Sequence, residues 1–291
     1  MTIDVLGQVL VIALMMAVIY TLIALGLSVI FSVLDVVNFA HGDFYMLGAF
    51  GAYTLFKTVG IGYWWYFPVI VLGSCLLGVA VERLVFFPLR KEVLWGLIAS
   101  FGLGFILQEV ACAIWGPDDR VVPSRVSGSL RVGSIFIPYE KLLLVTIGVV
   151  FIAAVIVIIH RSKLGRAIRA VAQDSDAATL SGISVSRIRM VTVMLGCTLA
   201  TSSGFLLASL SYINPYMGHD YIVKAFTVII IGGMGSIYGS IIGSLFLAMV
   251  DAFGMTLIGV WSTLAGFVVL ALMLLFRPHG LMGAIEREET K

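Results

Sequence analysis

Residues 5–33 read VLGQVLVIALMMAVIYTLIALGLSVIFSV, an apolar run that contains no charged side chain. A helix needs about 20 such residues to cross the roughly 30 Å hydrocarbon core of a bilayer. The run is too long for the apolar region of a cleaved signal peptide, and residues 1–4 lack the positive charge that such a peptide carries. We therefore predict that residues 5–33 form a first membrane-spanning helix.

Similar runs recur along the whole chain and determine its fold class. Apolar residues make up 60% of the sequence and charged residues 12%, whereas a soluble domain carries about 25% charged residues. The alternating pattern of a membrane β-barrel does not occur. The sequence predicts an all-α polytopic membrane protein in which residues 1–291 form a single transmembrane domain. We expect about eight membrane-spanning segments, at residues 5–33, 36–56, 66–87, 94–115, 142–159, 189–210, 222–250 and 256–276.

Glycine and polar residues interrupt two of these segments. Gly232-Gly233-Met234-Gly235 lies inside 222–250. Interrupted helices at membrane depth occur where protein or a water-filled cavity receives the free backbone groups. We therefore predict that one or two segments are broken or re-entrant, and that Gly232, Gly233 and Gly235 belong to a substrate pathway. If 222–250 re-enters, the C-terminal tail EREETK lies in the cytoplasm; a full crossing would place it outside.

The second interruption is the polar group Asn38, His41, Gly42 and Asp43, near the start of 36–56. Polar side chains at membrane depth are costly and usually face a cavity or a partner. Two interpretations stay open. These residues line a substrate pathway, or they bond to each other and to nearby backbone and only fasten two helices together.

A basic segment, residues 160–188, separates two apolar spans and predicts the orientation of the chain. Cytoplasmic loops of membrane proteins are enriched in lysine and arginine, and the loop around Arg83, Arg90 and Lys91 is basic as well. We place both in the cytoplasm.

The same segment predicts two short helices. The signals are helix-forming residues at 164–172, capping residues at Asp174 and Ser175, and Gly182 as a C-cap. The second, at 176–181, suits a groove on a protein partner better than an anionic lipid surface.

Other patterns in the sequence limit the function. No GxxxxGK(S/T), HExxH or GxSxG motif occurs, the three cysteines have no metal-ligand spacing, and no basic cluster indicates nucleic acid. We expect no catalytic residues, no metal and no cofactor in this chain, which is therefore predicted not to be an enzyme. The long loop 116–141 forms either a small β-ribbon or a plain connector.

Several short motifs resemble one family, the permease subunits of ATP-binding-cassette (ABC) importers for branched-chain amino acids. Asp176-Ala177-Ala178 followed by Gly182 looks like the EAA-type loop of ABC permeases, with Asp in place of the usual Glu. The resemblance covers nearly the whole chain, because its motifs run in order from the second span to the tail. They are Asn38-Phe39-Ala40-His41-Gly42, Gly165-Arg166-Ala167, Arg169-Ala170, Gly182-Ile183, Ile213-Asn214-Pro215-Tyr216, Lys224-Ala225-Phe226, Gly232-Gly233-Met234-Gly235-Ser236, Arg277-Pro278 and Gly280-Leu281.

The resemblance implies a machine in a bacterial inner membrane that moves substrate inward by alternating access. Its other parts would be a second homologous permease, two cytosolic ATPases that bind ATP and Mg, and a periplasmic substrate-binding protein. The basic segment would couple the permease to the ATPases. The coupling residues would be Arg166, Arg169, Asp176, Ala177, Ala178 and Gly182. Asn214, Pro215 and Tyr216 would contact the binding protein or form an outer gate, although a turn stabilised by Pro215 fits equally well.

The substrate stays open, because the same family includes importers of urea, short amides and aromatic acids. Two rivals come from other classes. A stand-alone secondary transporter would need clustered ion-coupling carboxylates, and the candidates Asp43, Glu109 and Asp251 are scattered. An integral membrane enzyme would have to use His41 and Asp43, which lack a catalytic arrangement in the sequence.

Overall fold

The computed structural model describes residues 3–59, 63–90, 92–123, 126–278 and 280–282. These ranges contain twelve α-helices and one β-hairpin. The helices are α1 (Ile3–Leu34), α2 (His41–Val59), α3 (Phe67–Val81), α4 (Phe87–Leu89), α5 (Val93–Trp115), α6 (Tyr139–Arg161), α7 (Lys163–Gln173), α8 (Ser175–Leu180), α9 (Val185–Leu207), α10 (Gly218–Gly232), α11 (Ile237–Ile258) and α12 (Ser262–Phe276). The strands are β1 (Ser129–Val132) and β2 (Ile135–Pro138).

Helices α1 and α9 form the centre of the bundle. In their apolar windows 67% and 78% of the residues are buried, against 22% in each of α5 and α6. Helix α1 packs against α9, α10, α11 and α6. Because α5 and α6 turn most of their apolar side chains outward, they supply surface that suits lipid or another membrane subunit.

Glycines allow the central helices to approach at backbone distance. A Cβ atom at Gly48 of α2 would collide with the carbonyl oxygen of Thr201 in α9, and one at Gly204 with that of Tyr45. Lipid gives helices no hydrophobic reason to associate, so close backbone packing through small residues replaces it. These contacts attach α2 to the central helix α9.

The contact at Gly48 gives a first testable prediction. Gly48→Ala should lower the unfolding free energy by about 1–3 kcal/mol, as overpacking does. The matched control is Gly73→Ala in α3, where no atom beyond the adjacent backbone of the same helix lies within 4 Å of the added Cβ and helix propensity favours alanine by about 0.5–1 kcal/mol. Thermal denaturation of the purified protein in detergent compares the two variants. Equal midpoints would show that the α2–α9 contact is not tight.

The fold is the predicted polytopic all-α bundle, but the expected count of about eight spans is not confirmed. Six stretches of the described residues are long and apolar enough to cross a membrane: Asp4–Leu34, Tyr63–Leu89, Val93–Trp115, Tyr139–Arg161, Val185–Leu207 and Ile237–Phe276. The predicted span 36–56 corresponds to α2, which is not among these six apolar stretches. The predicted span 222–250 divides between α10 and α11, and α11 and α12 lie in one apolar stretch.

Both predicted interruptions are breaks in helices. Helix α1 ends before Asp35, whose φ of 54° is left-handed, and residues 35–40 are not helical before α2 begins at His41. Helix α10 has 15 residues, about 22 Å at 1.5 Å per residue, which is shorter than a bilayer core. After Gly233 the chain turns, and α11 packs back along α10 with Gly232 against Gly239.

We considered two structures for the long loop 116–141, a β-ribbon and a plain connector, and the loop contains the β-ribbon. Strands β1 and β2 pair antiparallel, with Ser129 opposite Pro138. Gln8 near the start of α1 fixes the hairpin through hydrogen bonds to both backbone groups of Phe136, at 3.1 and 3.3 Å. The hairpin therefore marks the end of the bundle where α1 begins.

The basic segments lie at the opposite end. Arg83 and Arg187 line one cavity of about 510 Å³ there, together with Ser184 and Glu82, which is what a shared cytoplasmic position requires. The backbone N–H groups of Leu281 and Met282 donate to the carbonyls of Ile231 and Gly232, so the chain approaches its C-terminus beside the α10–α11 turn. The tail EREETK lies outside the described residues.

Candidate functional site

The two interrupted helices meet inside the bundle. Gly42 in the first turn of α2 and Gly218 at the start of α10 lie so close that a Cβ on either would collide with the backbone of the other. The first turn of a helix has unbonded N–H groups and a positive partial charge. The structure therefore brings two positive helix ends together in the interior, next to the polar residues that follow them.

Asp43 opens onto a cavity of about 210 Å³ between α2, α5 and α10. One carboxylate oxygen, Oδ1, accepts a hydrogen bond of 2.8 Å from Gln108 Nε2 in α5. The other, Oδ2, faces Gly104. Most of the remaining wall is apolar, formed by Phe39, Phe101, Phe105, Ile222, Val223 and Phe226.

Asn38 and His41 lie behind this cavity. Both are fully buried, and neither lines any of the four cavities described for the chain. His41 Nε2 bonds to the carbonyl oxygen of Ile23 at 2.9 Å, and Asn38 Oδ1 accepts from the N–H of Ala40 at 3.1 Å. The His41 contact ties the start of α2 to α1, the Asn38 contact closes a turn within residues 35–40, and Gly42 serves the close approach of α10.

An ion pair fixes the next turn of α10. Lys224 Nζ contacts both carboxylate oxygens of Asp251 in α11, at 2.7 and 2.8 Å, and the hydroxyl of Tyr20 in α1 donates to the same carboxylate at 2.7 Å. Asp251 therefore pairs with a cation inside the protein, and the cluster joins three helices. A cavity of about 300 Å³ lies beside it and also exposes Asp220 and Tyr221.

A larger cavity, of about 780 Å³, lies between the long loop and the start of α10. Asn214 and Tyr216 line it, and Asn214 Nδ2 donates to Asp119 of the loop at 3.0 Å. Pro215 is buried in the same turn. Gln108 and His219 line both this cavity and the Asp43 cavity, so the two spaces are neighbours along α10.

The predicted glycines of the pathway lie elsewhere, at the α10–α11 turn. Gly232 packs against Gly239, and Gly233 packs against Gly280. Gly233 and Gly235 have φ of 105° and 77°, which suits glycine. None of them lines a cavity described above, so their observed contacts are those of a tight turn.

The basic segment forms the two expected short helices, α7 and α8. Asp174 caps α8 by accepting from the N–H groups of Asp176 and Ala177, both at 2.9 Å. Gly182, with φ of 80°, ends it. Within α8 the side chain of Ala178 is buried, whereas Leu180 at the end of the helix is 90% exposed.

The two predicted arginines of α7 differ in their surroundings. The guanidinium of Arg169 donates to the carbonyl oxygen of Ile159, which fastens α7 to the end of α6. Arg166 is exposed. Arg169 thus has a bracing contact within the chain, while Arg166 is free to meet a partner.

Sequence reasoning missed four residues of these cavities: Gln108, His219, Lys224 and Tyr20. Gln108 follows Gly104 by four positions and so shares its helix face, which was a usable indication. Lys224 and Asp251 were isolated charges in apolar spans, but nothing in the sequence paired them. Among the described residues no group of three or more His, Cys, Asp or Glu side chains could hold a metal ion.

Comparisons with known proteins give a consistent result. The profile of a family described as branched-chain amino acid transport system / permease component matches residues 9–276. The high-affinity branched-chain amino acid transport system permease protein BraD of Pseudomonas aeruginosa is 32% identical, over 93% of this chain and 94% of BraD. The corresponding protein LivH of Escherichia coli K12 is 31% identical, over 93% of each chain.

A more distant relative is the permease protein LivM of Salmonella typhimurium, from a system of the same description. It is 27% identical, over 92% of this chain and 68% of LivM. No solved structure matches the chain.

Proposed function

Because this chain belongs to the family of permease components of branched-chain amino acid transport systems, we propose that it is the membrane permease subunit of an ATP-driven importer. The substrates we propose are branched-chain amino acids, which the names of BraD and LivH specify for those relatives. The chain itself hydrolyses nothing, and the energy comes from ATP bound with Mg to other subunits.

The observation that carries this proposal is the exposed end of α8. A short capped helix presents Leu180 to solvent, next to a buried Ala178 that fixes its orientation. An isolated large apolar side chain on a rigid element is typical of an anchor that fills a pocket on a partner. A cytosolic ATPase is the partner that an importer needs at this end of the molecule, and the exposed side chains of Arg166 and Asp176 would contact it.

The cavities along α10 suggest how substrate enters. The large cavity beside Asn214 and Tyr216 lies at the end of the bundle away from α8, where a binding protein would deliver substrate. The neighbouring Asp43 cavity would receive it next. Alternating access then requires α10 to move relative to α2 and α5, because their surfaces form that cavity.

We propose four kinds of partner for this chain. They are a second homologous permease, two cytosolic ATPases, a periplasmic substrate-binding protein and the lipid bilayer. The distant similarity to LivM is an argument for the second permease. The location we propose is a bacterial inner membrane, which the chain spans several times. The exposed apolar faces of α5 and α6 leave room for both lipid and the second permease.

The test is reconstitution of the complex. The chain is extracted from its native membrane in mild detergent, and we expect two ATPases and a second hydrophobic subunit to purify with it. In proteoliposomes the complex should accumulate leucine only when ATP and loaded binding protein are both present. Leucine uptake by this chain alone, driven by an imposed ion gradient, would contradict the proposal and favour a secondary transporter.

A further inference from the structure

Four carboxylates are buried among the described residues, those of Asp43, Glu82, Glu140 and Asp251, and of these Asp251 has an ion-pair partner there. Asp251 pairs with Lys224, which is the ion pair found among the described residues. Asp43 is only 4% exposed, and its bonded side-chain partner is the neutral amide of Gln108. A buried charge is stable only when it is paired or well hydrogen-bonded. Asp43 has no ion-pair partner among the described residues, and the titratable group that interacts with it across the cavity is the imidazole of His219. Its carboxylate is therefore available to a cation from outside the chain.

The space in front of Asp43 can admit such a cation. Oδ2 points toward Gly104, where even a Cβ would lie 2.6 Å from that oxygen. The absence of a side chain at this position lets Oδ2 lie close to the backbone of α5, while Gln108 holds the other oxygen. Asp43 and Gly104 both line the cavity, so a cation can reach the carboxylate from that side. Gln108 is thus a positioning residue that fixes the direction of the carboxylate.

The rest of the cavity suits an aliphatic group. The ring of Phe39 lies between two others, with its centroid 4.5 Å from that of Phe101 and 5.3 Å from that of Phe226. Ile222 and Val223 complete the wall. Aromatic and branched side chains bind apolar groups by excluding water, and a few polar groups then fix the orientation of the ligand. One carboxylate in a mostly apolar cavity is complementary to an ammonium group attached to a hydrocarbon.

A third feature lies on the opposite rim. Gly218 and His219, the first residues of α10, border the same cavity. The N–H of His219 already donates to the carbonyl oxygen of Tyr216 at 3.1 Å, but the positive partial charge of a helix N-terminus still favours a carboxylate. The cavity thus offers a negative group, a positive helix end and an apolar wall, which correspond to the three parts of an aliphatic amino acid.

We propose that the Asp43 cavity is a substrate site of the permease and that it selects for a primary ammonium group on an apolar molecule. This inference rests on the proposed function and assigns the group that recognises the ammonium of its substrate. Urea and short amides have no ammonium group to offer Asp43. Aromatic acids without an amino group would bring a second negative charge to it.

The test is Asp43→Asn in the reconstituted complex, supplied with saturating leucine-loaded binding protein. Asparagine has nearly the size of aspartate, and its Oδ1 still accepts from Gln108, so the substitution removes mainly the charge. We expect leucine uptake to fall at least about ten-fold, which corresponds to roughly 1.4 kcal/mol. ATP hydrolysis stimulated by the binding protein should stay within about two-fold, as one charge-assisted contact acts on the substrate and not on the nucleotide. The matched control is Asp4→Asn, at the exposed start of α1, which should change neither rate.

A second variant keeps the charge and blocks the space. Gly104→Ala places a methyl group beside Oδ2, and we expect the same loss of uptake with hydrolysis retained. Unchanged uptake in Asp43→Asn, or parallel loss of uptake and hydrolysis in both variants, would overturn the inference. A wild-type complex that imports no leucine would instead refute the proposed function, so the two failures are distinguishable.

Discussion

Leu180→Glu should lower ATP-dependent uptake by at least about 30-fold, while the protein still inserts into the membrane in normal amount. Leu180 is 90% exposed at the end of α8, so the substitution removes no contact that holds the bundle together. In the proposed complex the same side chain fills a pocket on the ATPase. Placing a charge in such a pocket costs an anchor residue about 2–4 kcal/mol, and each 1.4 kcal/mol is about ten-fold in affinity.

The measurement compares uptake with the amount of ATPase that co-purifies. Leu180→Met is the matched control, because methionine keeps an apolar side chain of similar volume and should retain most of the uptake. We expect Leu180→Glu to lose uptake and co-purified ATPase together. Normal uptake in Leu180→Glu would show that α8 does not couple this chain to an ATPase.

The basic segment was predictable because its chemistry is local. An N-cap and a positive-φ glycine act within a few residues of themselves, so Asp174 and Gly182 defined the limits of α8 in the sequence as they do in the structure. The exposure of the Leu180 side chain was not predictable. It depends on which face of α8 turns inward, and tertiary contacts of Ala178 and of Val171 in α7 determine that face.

The apolar spans were predictable as long runs, but their division was not. Composition shows where a chain prefers lipid, yet it does not show where a helix stops inside a long run. Residues 36–40 are apolar enough to continue a helix, but in the structure His41 bonds to Ile23 and α2 begins there. The meeting of Gly42 with Gly218 joins distant parts of the chain, and nothing near either residue indicates the other.

The sequence indicated candidate residues of the site but not their neighbours, because those neighbours come from distant parts of the chain. Asp43 was a conspicuous charge within an apolar span, so the sequence offered it as a candidate pathway residue beside a purely structural role. Its surroundings come from α5 and α10, and a single sequence does not say which faces of those helices meet α2. The Lys224–Asp251 pair was also hidden, because its members stand 27 positions apart on two helices of one hairpin.

Lys224→Met should destabilise the protein strongly. Asp251 would keep the hydrogen bond from Tyr20 but lose its cation inside the bundle. Removing one partner of a buried ion pair costs about 3–5 kcal/mol, because the other charge stays uncompensated. The Lys224 and Asp251 side chains are 21% and 9% exposed, so we expect a loss near 3 kcal/mol. Thermal denaturation in detergent should show a midpoint lower by roughly 10 °C.

The double variant Lys224→Met/Asp251→Leu separates the cost of an unpaired charge from the value of the pair. Replacing both members of a buried ion pair by apolar groups is often neutral or stabilising. We therefore expect the double variant to recover most of the thermal stability that Lys224→Met loses. A double variant as unstable as Lys224→Met would mean that the hydrogen bonds of Lys224 to Asp251, rather than charge compensation, hold α10 in place. Full stability with impaired uptake would show that the pair is retained for transport and not for folding.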